Sequence, residues 1–157
     1  MKIGDCMKRN VVSIPETATI GEAAAIFTAR HVGLLPVVDD AGQLVGVLQL
    51  RDLLALVMPD FVRLVEDIDF VHDFGALETR QPSPEVMARP AREVMQPPLF
   101  VEEDCGLLRA FALLRQRDLH DLPVVASNGQ LVGIASRVDI GAALLAGWRT
   151  PPPGGAP

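Results

Sequence analysis

Leu35-Pro36-Val37-Val38, followed after a short polar break by Gly42-Gln43-Leu44-Val45-Gly46, decides the fold, because it occurs again as Leu122-Pro123-Val124-Val125 and Gly129-Gln130-Leu131-Val132-Gly133. The two blocks keep their spacing, at an offset of 87 residues from Pro36 to Pro123. At that offset Asp52 falls on Asp139, Arg30 on Arg117, Ala23 on Ala110 and Ala25 on Ala112. Upstream, Met7 pairs with Met95 at an offset of 88, so the second copy is one residue shorter between its Met and its helix. An internal repeat of this kind governs every other reading of the chain.

Each copy predicts the same elements. A short extended stretch (Val11 to Ile14; Leu99 to Val101) precedes apolar residues at Ile20, Ala23, Ala24 and Phe27, or at Leu107, Ala110, Phe111 and Leu114. These fall at the spacing of one helix face. Thr19 and Glu22 supply a capping box for the first helix, and Asp104 is expected to cap the second. Leu34 to Val38 and Leu44 to Leu48 then read as strands joined by a Gly-containing turn, as do Leu122 to Val125 and Leu131 to Ala135. A second helix follows, carrying Leu53, Leu54 and Val57, or Ile140, Ala143 and Leu144. Each copy is thus a β-α-β-β-α unit of the α/β (α+β) class. A unit of about 50 residues cannot cover both faces of its own sheet, whereas two packed together can.

The chain has 157 residues and is 49% hydrophobic with a net charge of −6, which places it among globular proteins rather than disordered ones. It has no Tyr and one Trp, so aromatic platforms for single-stranded nucleic acid are not expected. The acidic balance likewise excludes a groove that tracks phosphates. No run approaches the about 18 apolar residues of a membrane span, and the N-terminus lacks a signal-peptide core. A cytoplasmic protein with no membrane partner is expected. Cys6 and Cys105 lack metal or redox spacing and read as small buried thiols. No nucleophile elbow, P-loop or zinc-protease motif occurs, so no enzyme is expected.

The order of elements and the repeated sequence resemble the CBS domain, named after cystathionine β-synthase. The resemblance rests on Met7 with Val11 to Ile14, Gly33 to Asp39, Gly42 to Val47 and Arg51-Asp52-Leu53, and on Val94-Met95, Leu122 to Val125, Gly129 to Ile134 and Ser136 to Ile140. It implies two tandem CBS repeats, residues 1–58 and 91–148, packed sheet to sheet as one pseudo-twofold Bateman module. Residues 59–90 would form a helical insert and 149–157 a disordered Pro/Gly tail. It implies as ligand an adenine nucleotide (AMP, ADP or ATP) or S-adenosylmethionine, bound between the repeats as a regulator rather than a required cofactor. It also implies a homodimer that signals to an unidentified regulated protein.

The ligand motif of the family, Gly-apolar-apolar-Ser/Thr-x-x-Asp, is met in copy two by Gly133-Ile134-Ala135-Ser136-Arg137-Val138-Asp139. A carboxylate at Asp139 can accept from both ribose hydroxyls, Ser136 can bond a phosphate oxygen, and Arg137 can add charge. Ser136 and Asp139 are at the same time a capping box, which stabilises a helix by about 1 kcal/mol with or without a ligand. Pro98, Leu99, His120 and Asp121 hold the positions that line the adenine in the family. Copy one keeps Asp52 but has Gln49 in place of the hydroxyl, with Arg51, Arg30 and His31 as possible cations. Copy two has Asp118 where copy one has His31, which is expected to set a carboxylate near any phosphate. The two sites are therefore unequal, and the one with Ser136 and Asp139 is favoured.

Between the repeats, apolar residues from Leu50 to Ile68 keep helical spacing across Pro59, with Asp60, Glu66, Asp67, Asp69 and Asp73 on the opposite face near His72. A solvated face explains these carboxylates; a divalent-cation site, or a docking surface for a basic partner in a module without a ligand, is the alternative. Phe61, Phe70 and Phe74 are expected to pack on the module or on a second subunit.

Overall fold

In the computed structural model of the chain, residues 1–58 and 79–148 are described. The insert residues Pro59 to Phe74 named above and the tail from 149 on lie outside them. The first repeat forms β1 (Ile14–Pro15), α1 (Ile20–Arg30), β2 (Leu34–Val38), β3 (Leu44–Gln49) and α2 (Leu50–Leu54). A short helix α3 (Pro84–Met87) precedes the second repeat, which forms β4 (Val101–Glu102), α4 (Leu107–Gln116), β5 (Asp121–Val125), β6 (Leu131–Ser136) and α5 (Arg137–Ala146). Two three-stranded sheets result, β1-β2-β3 and β4-β5-β6, each with one parallel and one antiparallel pairing. The first strand of each sheet is only two residues long and starts at Ile14 or Val101, later than the expected extended stretches.

The hairpins form where the Gly-containing turns are. Gly42 and Gly129 have φ of 79° and 83°, left-handed values that L side chains adopt at a cost. Asp39 Oδ1 accepts from the N–H groups of Ala41 and Gln43, both at 2.9 Å, and fixes the first turn. At the other end of each repeat helix, His31 and Asp118 take the left-handed conformation, with φ of 51° and 49°.

Helix α1 starts on the expected capping box. Thr19 Oγ1 accepts from Glu22 N at 3.1 Å, and Thr19 N donates to Glu22 Oε2 at 2.8 Å. Helix α4 does not start at Asp104. Its N-cap is Gly106, which aligns with Thr19 at the repeat offset and offers no side-chain acceptor. Asp104 stands two residues too early in the chain to reach the first turn's N–H groups. Helix α2 is a single turn and a half, so the copies also differ in the length of the helix behind the last strand, with five residues against ten in α5.

Backbone contacts divide the chain into two compact units that are not the two sequence repeats. One comprises the described residues of Val12–Pro98, the other those of Met1–Val11 and Leu99–Pro157. The segment that opens the first repeat is therefore paired with the sheet of the second. Lys8 and Ile134 exchange both backbone hydrogen bonds, at 2.8 and 2.9 Å, and Ile3 N donates to Cys105 O at 2.8 Å. Arg9 pairs with Glu103 at 3.0 Å. The segment that opens the second repeat does the same to the first: Gln96 and Val47 exchange bonds of 2.8 and 3.0 Å, and Ala91 N donates to Ala18 O at 2.7 Å.

Each unit has its own core. Leu35, Val37 and Leu48 pack with Ala23 and Phe27 of α1 in one, and Leu122, Val124 and Ala135 with Ala110 and Leu114 of α4 in the other. A fully buried leucine such as Leu35 or Leu122 contributes about 2 kcal/mol of burial. Cys6 and Cys105 are free, as expected, but half-buried beside the core rather than within it. Among the described residues no helix is long and apolar enough to cross a membrane.

Candidate functional site

The glycine that opens the ligand motif has a packing role. A Cβ on Gly133 would lie inside contact distance of Met7 Sδ and 3.2 Å from Lys8 O. Gly46 has the same relation to Met95 Sδ and Gln96 O. The glycine lets the preceding segment lie flat on the last strand, and this delivers the residue after each Met to the start of the following helix.

At that corner in the unit of the second repeat, Ser136 is the N-cap of α5. Ser136 Oγ accepts from Asp139 N at 3.0 Å and donates to Asp139 Oδ2 at 2.7 Å, while Ser136 N donates to the same Oδ2 at 2.9 Å. Lys8 Nζ lies 3.5 Å from that oxygen as well. Three donors converge on Oδ2, and Oδ1 carries no hydrogen bond among the described residues. Partial burial pushes the Asp139 carboxyl up, but the Ser136 backbone and hydroxyl bonds and the Lys8 ammonium outweigh it, and the net shift is downward. Asp139 is an ionised acceptor with one oxygen to offer.

Asp121 stands opposite Ser136 in the β5–β6 register. Burial pushes its carboxyl up and Asp139 adds to this, while His120 and Lys8 oppose it. His120, Asp121, Ser136, Asp139 and Lys8 thus form one electrostatic group. Leu99 packs at the edge of the same unit's core, whereas Pro98 is the last residue of the other unit.

Arg137 does not point its charge at this group. Its Nε donates to Leu119 O, and its Nη2 lies 3.3 Å from Asp118 Oδ1 and 3.5 Å from Leu114 O. It ties α5 to the C-terminal end of α4. Asp118, the carboxylate expected near a phosphate, is the ion-pair partner of Arg137.

The equivalent corner of the first repeat is built differently. Asp52 Oδ2 accepts from Gln49 N at 2.7 Å, and its Oδ1 accepts from Gln96 Nε2 at 3.4 Å, so both oxygens are engaged. The position of Asp121 is taken by Leu34, which is buried. Arg51 lines a small cavity of about 320 Å³ with Asp52, Leu54 and Met58. His31 lines a different, apolar groove of about 770 Å³ with Phe27, Leu50 and Leu53, and Arg30 is exposed on α1. The structure brings Arg51 to Asp52 but assigns His31 to other surroundings. Among the described residues no group of His, Cys, Asp and Glu could hold a metal ion.

Lys8 escaped the sequence reading. The signal was there: continuing the Met7 to Met95 alignment by one residue sets Lys8 against Gln96.

Comparison with known proteins agrees with this architecture. The family profile of the CBS domain matches residues 3–59 and 91–146. The chloroplastic CBS domain-containing protein CBSX2 of Arabidopsis thaliana is 29% identical over 153 residues, covering 91% of this chain and 63% of that one. An uncharacterized protein of Methanocaldococcus jannaschii is 31% identical over 140 residues, which is 88% of this chain and 31% of that one. The chain thus spans from about a third to just under two thirds of these relatives. Among solved structures, CBSX2 in complex with AMP superposes with a TM-score of 0.69 at 28% identity, covering 92% of this chain and 96% of that one. CBSX2 from Arabidopsis thaliana also superposes with a TM-score of 0.71. The matched profile covers both repeats and most of the chain, and the fold superposes on these structures, so the chain belongs to the CBS domain family.

Proposed function

We propose that the chain is a regulatory module that binds an adenosyl ligand, AMP, ADP, ATP or S-adenosylmethionine, at the Ser136–Asp139 corner and passes its occupancy to a partner protein. The observation that carries this reading is the state of Asp139: an ionised carboxylate held by its own cap, with Oδ1 left to accept ribose hydroxyls. The AMP complex of CBSX2, at 28% identity, supports the ligand class. Leu99, His120 and Asp121 would lie along the base and sugar, and the first-turn amides of α5 would favour an anion. The corner at Asp52 is the weaker of the two, because both its oxygens are engaged and α2 is short. Regulation requires different affinity for two conformations. In this reading the module is not catalytic, works in the cytoplasm, and acts as a homodimer.

Thermal unfolding with AMP, ADP, ATP and S-adenosylmethionine tests it. A ligand at 100 times its Kd raises stability by about 2.7 kcal/mol. Protein freed of co-purified nucleotide that shifts with none of the four would end the proposal.

A further inference from the structure

Lys8 and Gln96 occupy the same address in the two units. Each follows a Met that covers the motif glycine, each exchanges two backbone hydrogen bonds with the last strand, and each turns its side chain to the Asp of the next helix. One address carries a cation and the other a neutral amide. We infer that Lys8 determines specificity for the number of ligand phosphates at the Ser136–Asp139 corner, an inference that rests on the function proposed above.

Three features support it. Among the described residues Lys8 makes one ion pair, at 3.5 Å, from a side chain that is 66% exposed, so its ammonium is free to move from carboxylate to phosphate on a flexible stem. The other cation in the motif, Arg137, is held by Leu119 O and Asp118. Lys8 also adds its attraction where Asp139 and the half-buried Asp121 would otherwise repel a phosphate. Gln96, donating to Asp52 Oδ1 at 3.4 Å, gives no such charge to the other corner.

Calorimetric titration of adenosine, AMP and ATP into the full chain and its Lys8→Gln and Lys8→Arg variants tests the inference. Gln is the residue this address already carries in the other unit, so the backbone pairing accommodates it. Lys8→Gln is expected to leave adenosine affinity within about twofold and to weaken ATP about three- to tenfold, the range of one partly exposed charged contact. Lys8→Arg should restore most of the preference. If the wild-type chain binds these ligands and the ratio of ATP to adenosine affinity is unchanged in Lys8→Gln, the inference fails while the proposed function stands. If the wild-type chain binds none of them, the inference fails, and the proposed function fails with it only when ADP and S-adenosylmethionine do not bind either.

Discussion

Gly133→Ala is expected to destabilise the chain by an amount that is not additive with the cost of a second substitution in a distant part of the sequence. The added Cβ would lie 3.0 Å from Met7 Cγ, closer still to Met7 Sδ, and 3.2 Å from Lys8 O. The thioether can shift, but Lys8 O is fixed by its bond from Ile134 N at 2.9 Å. Overpacking of this kind costs about 1–3 kcal/mol, and about 2 kcal/mol corresponds to a fall in Tm of roughly 4–8 °C in a chain of this size. Met7→Ala alone loses part of a half-buried side chain, about 1–2 kcal/mol. In the double variant the new methyl enters space that the thioether has left, so the loss should be about 1 kcal/mol smaller than the sum of the two singles. Urea unfolding followed by circular dichroism measures all three. Gly133→Ala combined with Met95→Ala is the control and should be additive, because Met95 covers Gly46 instead. Coupling of Gly133 to Met95 and not to Met7 would refute the reciprocal exchange of the two leading segments.

Asp139 and Asp121 should have opposite effects on the dependence of stability on pH. The Asp139 carboxyl is held below its ordinary value of 3.8, so its contribution is present above about pH 4 and is lost as pH falls through the folded value; Asp139→Asn should remove that acid-side loss. The Asp121 carboxyl is raised by burial, so ionising it lowers stability as pH rises, and Asp121→Asn should be the more stable chain at pH 7 in the same urea series. Arg137→Ala should lower stability by about 1 kcal/mol, through loss of its bonds to the end of α4, and leave ATP affinity within about twofold by calorimetry. A selective loss of ATP affinity at unchanged stability would return Arg137 to the phosphate contact.

Much of the local structure was legible. The capping residues Thr19 and Ser136, the hairpin turns at Gly42 and Gly129 and the buried strands all follow from nearest-neighbour chemistry, which the sequence displays directly. Asp104 was misread because capping depends on position to within one residue, and a polar residue two places upstream looks alike in sequence. The direction of Arg137 was not legible either. Its choice between a phosphate and the carbonyl of Leu119 depends on where the end of α4 lies, a contact 18 residues away in the chain.

The repeat, by itself, determined the element order, one sheet in each copy and the carboxylates at equal positions in both copies, because each copy's pattern of burial and turns is local. It could not say which copy's sheet each leading segment joins. Only the tertiary structure decided that, since a segment ending in Met can cover the glycine of its own repeat or of the other with the same local geometry. That choice sets Lys8 beside Asp139 and Gln96 beside Asp52, and so adds a difference in charge to two motifs that share the Gly and the Asp.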